Sequence, residues 1–328
     1  MTEYFAELYL EGVMRYPKIT TLLILGSLLI SFNLQAQEKK ELTPYERGTN
    51  LYKSLGVQVE RDLVYKTVDG IELTLDLLLP ENEIYKDGAP VVMLTHGGGW
   101  DAGDRYHMGD YKYWSDRGIA GVAISYRFLT KNSNGKSYNI GDCVTDCIDA
   151  TRFVAKIAKK YNLNSNRVAV YGHSAGGHLT LMTALAPHKD FIGDKELSKY
   201  SAKIVCAAPA APVMDLFTPE FGWGNKSKRL IGESENPEET AKRLSPITYI
   251  KKDSVPLYIT HGDADTAVPV DGTRAFVAKA KELGANVDYL EVSGGDHGMH
   301  NKEAQIPGKV LEEKRHEFIL KHLTKDLK

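Results

Sequence analysis

The feature that most constrains this chain is an apolar run that ends in a glycine-flanked serine. Residues 168–178 read Val-Ala-Val-Tyr-Gly-His-Ser-Ala-Gly-Gly-His, and a helix-forming stretch follows at residues 179–185. A Gly-x-Ser-x-Gly pattern between a strand and a helix predicts a very tight turn with glycines on both sides of the serine. Such a turn exposes the Ser174 hydroxyl beside the positive end of the following helix. By itself, the pattern also suits an ordinary Gly/Ser turn.

Length and composition favour one large domain and a small substrate. The 328 residues contain no Pro/Ser-rich linker, repeat or low-complexity tract, and 42% of them are apolar, enough for a sizeable core. We place this domain at residues 56–328, after a polar N-terminal extension at residues 37–55. A formal net charge of -2 without a basic run argues against nucleic acid or an anionic surface as a partner.

The first 36 residues are typical of an export signal. From Met14, a basic Met-Arg-Tyr-Pro-Lys segment precedes an apolar core at residues 19–34. A Gln-Ala-Gln segment at the expected cleavage site follows. This pattern predicts a signal peptide at residues 1–36 and a periplasmic or secreted protein without stable membrane insertion after processing. Residues 1–13 contain three glutamates and no base, which favours Met14 as the true start. The alternative is an uncleaved membrane anchor, although the apolar segment is shorter than the roughly 20 residues that a transmembrane helix needs.

From residue 58 onward, strand and helix signals alternate. Alternating apolar residues at 58–65 and 71–79, around Asp69-Gly70, predict an antiparallel hairpin. Further strands are predicted at residues 91–95, 118–125, 168–171, 204–208, 257–260 and 287–292. Helices are predicted at residues 142–161, after the Ser174 turn up to Leu185, at 273–283 and at 309–323. This order predicts an α/β fold with a mostly parallel central sheet and helices on both faces. In such sheets, ligands bind beyond the carboxyl ends of the strands.

Three further motifs fall at those carboxyl ends. Residues 96–100 read His-Gly-Gly-Gly-Trp, and glycines there let backbone N–H groups face a developing oxyanion. Residues 261–269 read His-Gly-Asp-Ala-Asp-Thr-Ala-Val-Pro, and residues 294–298 read Gly-Gly-Asp-His-Gly. The chain order is therefore Ser, Asp, His, the order of the α/β-hydrolase triad and not that of chymotrypsin or subtilisin.

Together the four motifs resemble those of α/β-hydrolase-fold serine carboxylesterases, close to the hormone-sensitive-lipase-like and the feruloyl or acetyl esterase-like groups. The resemblance covers about residues 55–325 and implies the α/β-hydrolase fold with a small cap insertion. It implies Ser174 as the nucleophile, His297 as general base and then acid, and Asp265 as the residue that orients His297. The implied oxyanion hole consists of three backbone N–H groups, those of Gly98, Gly99 and Ala175.

Asp263 is the alternative acid, two residues before Asp265. The family pattern His-Gly-x-x-Asp-x-x-Val-Pro favours Asp265. Asp296 and His300, which flank the proposed base, are expected at the surface.

The remaining cysteines and histidines predict no metal site and no cofactor. The ten histidines include no cluster with ligand spacing. Cys143, Cys147 and Cys206 form an odd set without a Cys-x-x-Cys motif, which favours buried thiols. A disulfide between Cys143 and Cys147 is the alternative in an exported protein.

The segment of residues 212–250 is longer than a plain crossover between two strands. It contains Phe217, Phe221 and Trp223. These aromatics predict a partial cap that lines an acyl or leaving-group pocket. The alternative is that they pack a helix onto the sheet.

The resemblance implies a cofactor-independent hydrolase that cleaves a small-molecule or oligosaccharide ester through an acyl-enzyme. With the expected export, it favours a short-acyl or feruloyl/acetyl ester on a carbohydrate. Two alternatives stay open. One is a peptidase or amidase of prolyl-oligopeptidase-like or kynurenine-formamidase-like type, which shares parts of these motifs. The other is a non-catalytic binding protein on the same fold, a class that typically lacks a triad residue, whereas all three positions are intact here.

Overall fold

The computed structural model describes residues 42–106, 108–130, 135–217 and 229–327. Residues Pro44–Lys328 form one compact unit. The expected signal peptide lies outside the described residues, so export stays a prediction. Within the described ranges, no helix is both long enough and apolar enough to cross a membrane.

Eight strands form one sheet and seven helices flank it in the described part of the chain. The strands are β1 (Gln58–Val68), β2 (Ile71–Leu79), β3 (Ala89–Thr95), β4 (Ala120–Ile124), β5 (Leu163–His173), β6 (Ile204–Ala210), β7 (Leu257–Gly262) and β8 (Val287–Val292). The helices are α1 (Pro44–Leu55), α2 (Tyr111–Ser115), α3 (Ile140–Ile157), α4 (Ala175–Leu185), α5 (Pro237–Arg243), α6 (Val270–Glu282) and α7 (Gly308–Leu323). Short 3₁₀ turns occupy His188–Asp190 and Pro246–Thr248.

The strand order across the sheet is β1-β2-β4-β3-β5-β6-β7-β8. The hairpin β1–β2 and the pair β2–β4 are antiparallel, whereas the pairs from β4 to β8 are parallel. This confirms the predicted hairpin and the mostly parallel sheet. Because β3, β5, β7 and β8 end at one edge, the four sequence motifs that follow them converge there.

Both faces of the sheet are buried, since successive residues of a strand alternate between two hydrophobic layers. In β3, Val91 and Met93 join a cluster with residues of α3, α4 and α6. Val92 and Leu94 join a second cluster with residues of α1, α2 and α7. Helices therefore cover both faces, as the α/β-hydrolase fold requires.

Two helices that the sequence analysis does not predict, α1 and α2, complete the second layer. Tyr52 of α1 is buried and donates a hydrogen bond through its hydroxyl to Asp76 of β2 over 2.9 Å. Next to it, the Arg61 guanidinium lies 3.9 Å from the ring centre of Tyr45. Most residues of α1 are polar, and Leu55 at its end also packs against the second hydrophobic cluster.

All three cysteines are free and buried, as predicted. The thiol of Cys143 donates to the backbone oxygen of Arg127 over 3.1 Å. Burial raises the pKa of Cys206 to about 12. These thiols are therefore protonated at neutral pH and behave as small core residues.

Helix α3 buries carboxylates on the face that packs against the sheet. The Lys66 ammonium lies 2.9 Å from Asp146 and 2.8 Å from Asp149. Arg127 binds Asp146 through two nitrogens at 2.7 and 2.8 Å, and Arg152 binds Asp149 at 2.8 Å. All five residues are at most 8% exposed. Each buried charge has an opposite partner, and the network holds α3 against β1 and the segment after β4.

Replacing Lys66 by methionine should destabilise the fold. The substitution leaves two buried carboxylates with one fewer cation, and removing a partner from a buried pair costs about 3–5 kcal/mol. Guanidinium unfolding at pH 7 measures this loss. The matched control is Lys242→Met, because the Lys242–Glu238 pair is solvent-exposed and should contribute little. Equal unfolding midpoints for the two variants would contradict this role of the network.

Candidate active site

Ser174 lies at the apex of the tight turn between β5 and α4. Its backbone has φ 58° and ψ -124°, a conformation that residues other than glycine rarely adopt. A Cβ atom added to Gly172 would lie 2.5 Å from the backbone oxygen of Thr95, and one added to Gly176 would lie 2.2 Å from the same oxygen. Both flanking glycines are therefore required by the close approach of the carboxyl end of β3. The turn has the form that the sequence predicts.

The glycine run after β3 packs against this turn. A Cβ atom on Gly97 would lie 2.8 Å from the backbone oxygen of His173. Gly98 and Gly99 have φ values of 114° and 62°, which favour glycine, and no described backbone carbonyl accepts a hydrogen bond from their N–H groups. Ala175 is the first residue of α4, where the N–H has no partner within the helix. The three predicted oxyanion donors thus belong to two segments in contact beside Ser174.

The predicted triad residues form one hydrogen-bonded chain. The Nε2 atom of His297 lies 2.8 Å from the Ser174 hydroxyl oxygen, and its Nδ1 atom lies 2.7 Å from Oδ2 of Asp265. The carboxylate can only accept, so Nδ1 of His297 carries a proton and Nε2 is free to accept the serine proton. The imidazole is therefore in the tautomer that a general base for Ser174 needs.

Asp265 is held as a buried anion. Its Oδ1 atom accepts hydrogen bonds from the backbone N–H groups of Ala267 and Val268 at 2.8 and 2.9 Å. Burial alone would raise the pKa of this carboxyl. The hydrogen bonds from His297 and Val268 outweigh burial, so the pKa of Asp265 lies below its ordinary value.

Asp263, the alternative acid, is exposed and points elsewhere. Its Oδ1 atom accepts a hydrogen bond from the N–H of Gly294 over 2.7 Å and so shapes the loop that carries His297. Asp296 and His300 are exposed, as expected. The geometry therefore pairs His297 with Asp265 and leaves Asp263 outside the hydrogen-bonded chain.

Two further histidines contact the triad, and the sequence analysis assigns neither of them a role. His173 donates from Nε2 to the backbone oxygen of His297 over 2.8 Å. His261 is fully buried, with Nε2 3.0 Å from Oδ2 of Asp265. Burial lowers the pKa of both imidazoles, although their hydrogen bonds to backbone carbonyls oppose the shift. Both lie inside predicted motifs, but only tertiary contact shows what they touch.

Trp100 and His178 join the oxyanion segment to the helix after Ser174. Their rings meet edge to face with centres 5.4 Å apart, and both side chains are buried. His178 donates from Nε2 to the backbone oxygen of Leu244 over 2.8 Å. Burial lowers the pKa of His178 to about 4, so this ring is neutral in the working range of the site. The contact fixes the glycine run relative to α4.

The described part of the 212–250 segment packs on the core. Met214, Leu216 and Leu244 are buried, and Phe217 is half-buried against them. For Phe217 this favours packing onto the sheet over the lining of a pocket. Phe221 and Trp223 lie outside the described residues, so their expected place in a cap stays a prediction.

A cavity of about 750 Å³ lies beside the nucleophile turn, on the side of α7. The residues that line it include Gly97, Gly98 and His173 near the turn, and Asp110 and Arg315 farther away. Ser174 is not among its lining residues. The cavity therefore borders the turn and the oxyanion segment but not Ser174 itself.

Asp110, Glu312 and His316 have ligand atoms within 4.8 Å of one another. Asp110 already accepts hydrogen bonds from His316 at 2.8 Å and from the Arg315 guanidinium at 3.0 Å. Burial would raise the pKa of Asp110, but the hydrogen bond from His316 and the charge of Arg315 lower it. A cation bound here would meet the guanidinium, so the cluster fits a structural link between α2 and α7 better than a metal site.

Comparison with known proteins finds similarity to esterases. The chain is 26% identical to the isoprenylcysteine alpha-carbonyl methylesterase ICME of Arabidopsis thaliana, over 73% of this chain and 56% of the relative. It is 26% identical to the probable carboxylic ester hydrolase LipM of Mycobacterium tuberculosis, over 64% of this chain and 49% of the relative. The chain thus spans about half the length of these curated relatives.

A similar solved structure is that of the thermophilic esterase Est2 of Thermogutta terrifontis. It superimposes with a TM-score of 0.67 at 26% identity and covers 81% of this chain and 92% of the Est2 chain. The BD-FAE family matches residues 75–280, more than half of the 328 residues. The fold, the glycine-flanked serine and the family match agree, and the chain belongs to the BD-FAE family of α/β-hydrolases.

Proposed function

We propose that the protein hydrolyses carboxylic esters through an acyl-enzyme on Ser174. The observation that carries this proposal is the continuous chain from Ser174 through His297 to Asp265, with contacts of 2.8 and 2.7 Å. The related proteins named as esterases support the same activity. The triad is complete, which disfavours a non-catalytic binding protein on this fold.

In the first half of the reaction, the Ser174 oxygen attacks the ester carbonyl while Nε2 of His297 takes the serine proton. Asp265 stabilises the imidazolium that forms. The tetrahedral intermediate collapses as its bond to the alcohol oxygen breaks, and His297 returns the proton to the departing alcohol. Water then attacks the acyl-enzyme while His297 takes a proton from it, and the bond between the acyl carbon and the Ser174 oxygen breaks as His297 returns the proton to Ser174 and the acid leaves.

The negative charge of each tetrahedral intermediate needs fixed donors. The N–H groups of Gly98, Gly99 and Ala175 serve this purpose in the proposal, together with the positive end of α4. Fixed backbone donors need no rearrangement at the moment of reaction. The buried Trp100–His178 contact supports them, because it joins the two segments that supply the donors.

For the substrate, we propose a short-acyl or acetyl/feruloyl ester carried by a carbohydrate. Solved structures of Est2 with propionate and with butyrate bound support a short acyl group. The carbohydrate part rests on the resemblance to feruloyl and acetyl esterases and on the expected export. A peptidase or amidase stays the alternative, since the same triad can attack amides.

A substrate panel tests both parts of this proposal. We expect hydrolysis of p-nitrophenyl acetate and butyrate and of acetylated or feruloylated xylo-oligosaccharides, with peptide anilides cleaved far more slowly. Ser174→Ala and His297→Ala should each lower kcat by several orders of magnitude, and the double variant should be little worse, because the residues act as a unit. Ester turnover by Ser174→Ala at the wild-type rate would refute the mechanism, and faster cleavage of anilides would favour the amidase.

The two aspartates of the acid loop should differ sharply. Asp265→Asn keeps the shape of the side chain but no longer fixes the tautomer of His297, so kcat should fall on the order of 10³ to 10⁴. Asp263→Asn is the matched control, because within the described residues the Asp263 carboxylate bonds to the loop at Gly294 and not to His297, so this variant should lose far less. Steady-state kinetics with one p-nitrophenyl ester measure both variants. The reverse ranking would transfer the acid role to Asp263.

A further inference from the structure

We propose that His261 is a positioning residue of the site, which donates a hydrogen bond to Asp265 and thereby sets the direction and charge of the group that orients His297. The inference rests on the proposed function of the triad. It extends the hydrogen-bonded chain by one imidazole and one hydroxyl, those of His261 and Thr273.

The contacts of His261 define a single tautomer. Its Nε2 atom lies 2.9 Å from the backbone oxygen of Val268 and 3.0 Å from Oδ2 of Asp265. Both oxygens only accept, so Nε2 carries the proton. Its Nδ1 atom lies 2.8 Å from the Thr273 hydroxyl, which therefore donates to the ring. Thr273 and His261 are both fully buried, so water does not compete for these bonds.

Oδ2 of Asp265 thus receives two imidazole donors, and His261 shares its single Nε2–H between Oδ2 and the backbone oxygen of Val268. His297 approaches at 2.7 Å and His261 at 3.0 Å. A second donor fixes the carboxylate plane and withdraws part of its negative charge. The charge left for His297 is smaller than in a site with one donor, so His261 tunes how strongly the imidazolium of His297 is stabilised.

Few other ionisable groups face this pair within the described chain. His297 and His173 lie on the side of Ser174. On β8, Glu291 acts on His261, but its carboxylate is held by two nitrogens of Arg274 at 3.0 and 2.7 Å. Burial keeps His261 itself neutral by lowering its pKa. A substitution at residue 261 should therefore change the pH dependence of activity mainly through its effect on Asp265 and His297.

The test compares three variants of the full chain by the pH dependence of kcat/KM. His261→Leu removes the donor, so kcat should fall on the order of 10- to 100-fold, and the acid limb of the profile should move to higher pH by roughly half to one unit. His261→Gln keeps an N–H group at a similar distance from Asp265, so kcat and the position of the acid limb should both return most of the way to their wild-type values. His261→Asn is too short to reach Asp265 and should resemble the leucine variant, which keeps the test open if leucine does not fold.

The matched control is His316→Leu. His316 is also buried and also donates to a carboxylate, that of Asp110 at 2.8 Å, but it lies outside the triad. This variant should lose stability without moving the acid limb. If the role of His261 were purely structural, its variants would likewise lose stability without a shift of the acid limb. Identical pH profiles for the wild type and a folded His261→Leu or His261→Asn would therefore overturn the proposal.

Nitrogen NMR of protein labelled at its histidines gives a second test that does not need activity. The wild-type signals that are missing from the spectrum of His261→Gln belong to His261. They should show a protonated Nε2 and an unprotonated Nδ1 between pH 6 and 8. A protonated Nδ1 would overturn the proposal. If the wild type hydrolyses no ester, the proposed function fails by itself, while this measurement still decides whether His261 donates to Asp265.

Discussion

The close approach of the nucleophile turn to the carboxyl end of β3 is the contact on which the site depends. The backbone oxygen of Thr95 lies where a side chain on either Gly172 or Gly176 would have to be. This approach forces Ser174 into its positive-φ conformation and brings the glycine run after β3 beside the first turn of α4. Nucleophile and oxyanion donors are thus positioned by one packing constraint. The strain of the turn is balanced by a sheet that is buried on both faces.

Buried charges occur both in the ion network of α3 and in the triad itself. On α3, Lys66 and two arginines neutralise the buried carboxylates of Asp146 and Asp149. Next to Ser174, burial lowers the pKa values of the half-buried His173 and the fully buried His178. Within the part of the chain that the structure describes, Asp265 is the one anion hydrogen-bonded to His297, so the imidazolium formed during catalysis has one dominant partner.

Sequence reasoning predicts the sheet, the strand-end motifs and the triad order well, because each depends on local patterns. The Gly-x-Ser-x-Gly turn and the glycine run follow from backbone sterics alone. The choice of Asp265 over Asp263 came from a family pattern, and the structure supplies its physical reason, since only Asp265 lies within hydrogen-bond distance of His297. The spacing of the two aspartates could not decide between them.

What the sequence could not provide are contacts between distant segments. The carboxylates of α3 look solvated in a helical pattern, because their partner Lys66 is 80 residues away from Asp146. Helix α1 is short and mostly polar, and its packing against β2 is not visible in the sequence. His261 opens the predicted acid loop, yet its bond to Thr273 appears only when β7 and α6 are packed together, and its bond to Asp265 only when the loop is folded.

The most direct measurement of the central claim is peptide mass spectrometry after reaction with paraoxon. Est2 has been solved in a form phosphorylated by paraoxon, which makes this reagent a suitable probe. We expect one diethylphosphoryl group per chain on the peptide that contains Ser174, with release of p-nitrophenol and loss of esterase activity in equal proportion. No adduct should form in Ser174→Ala. Inactivation with Ser174 unmodified, or full activity with Ser174 fully modified, would contradict a nucleophilic role for this serine.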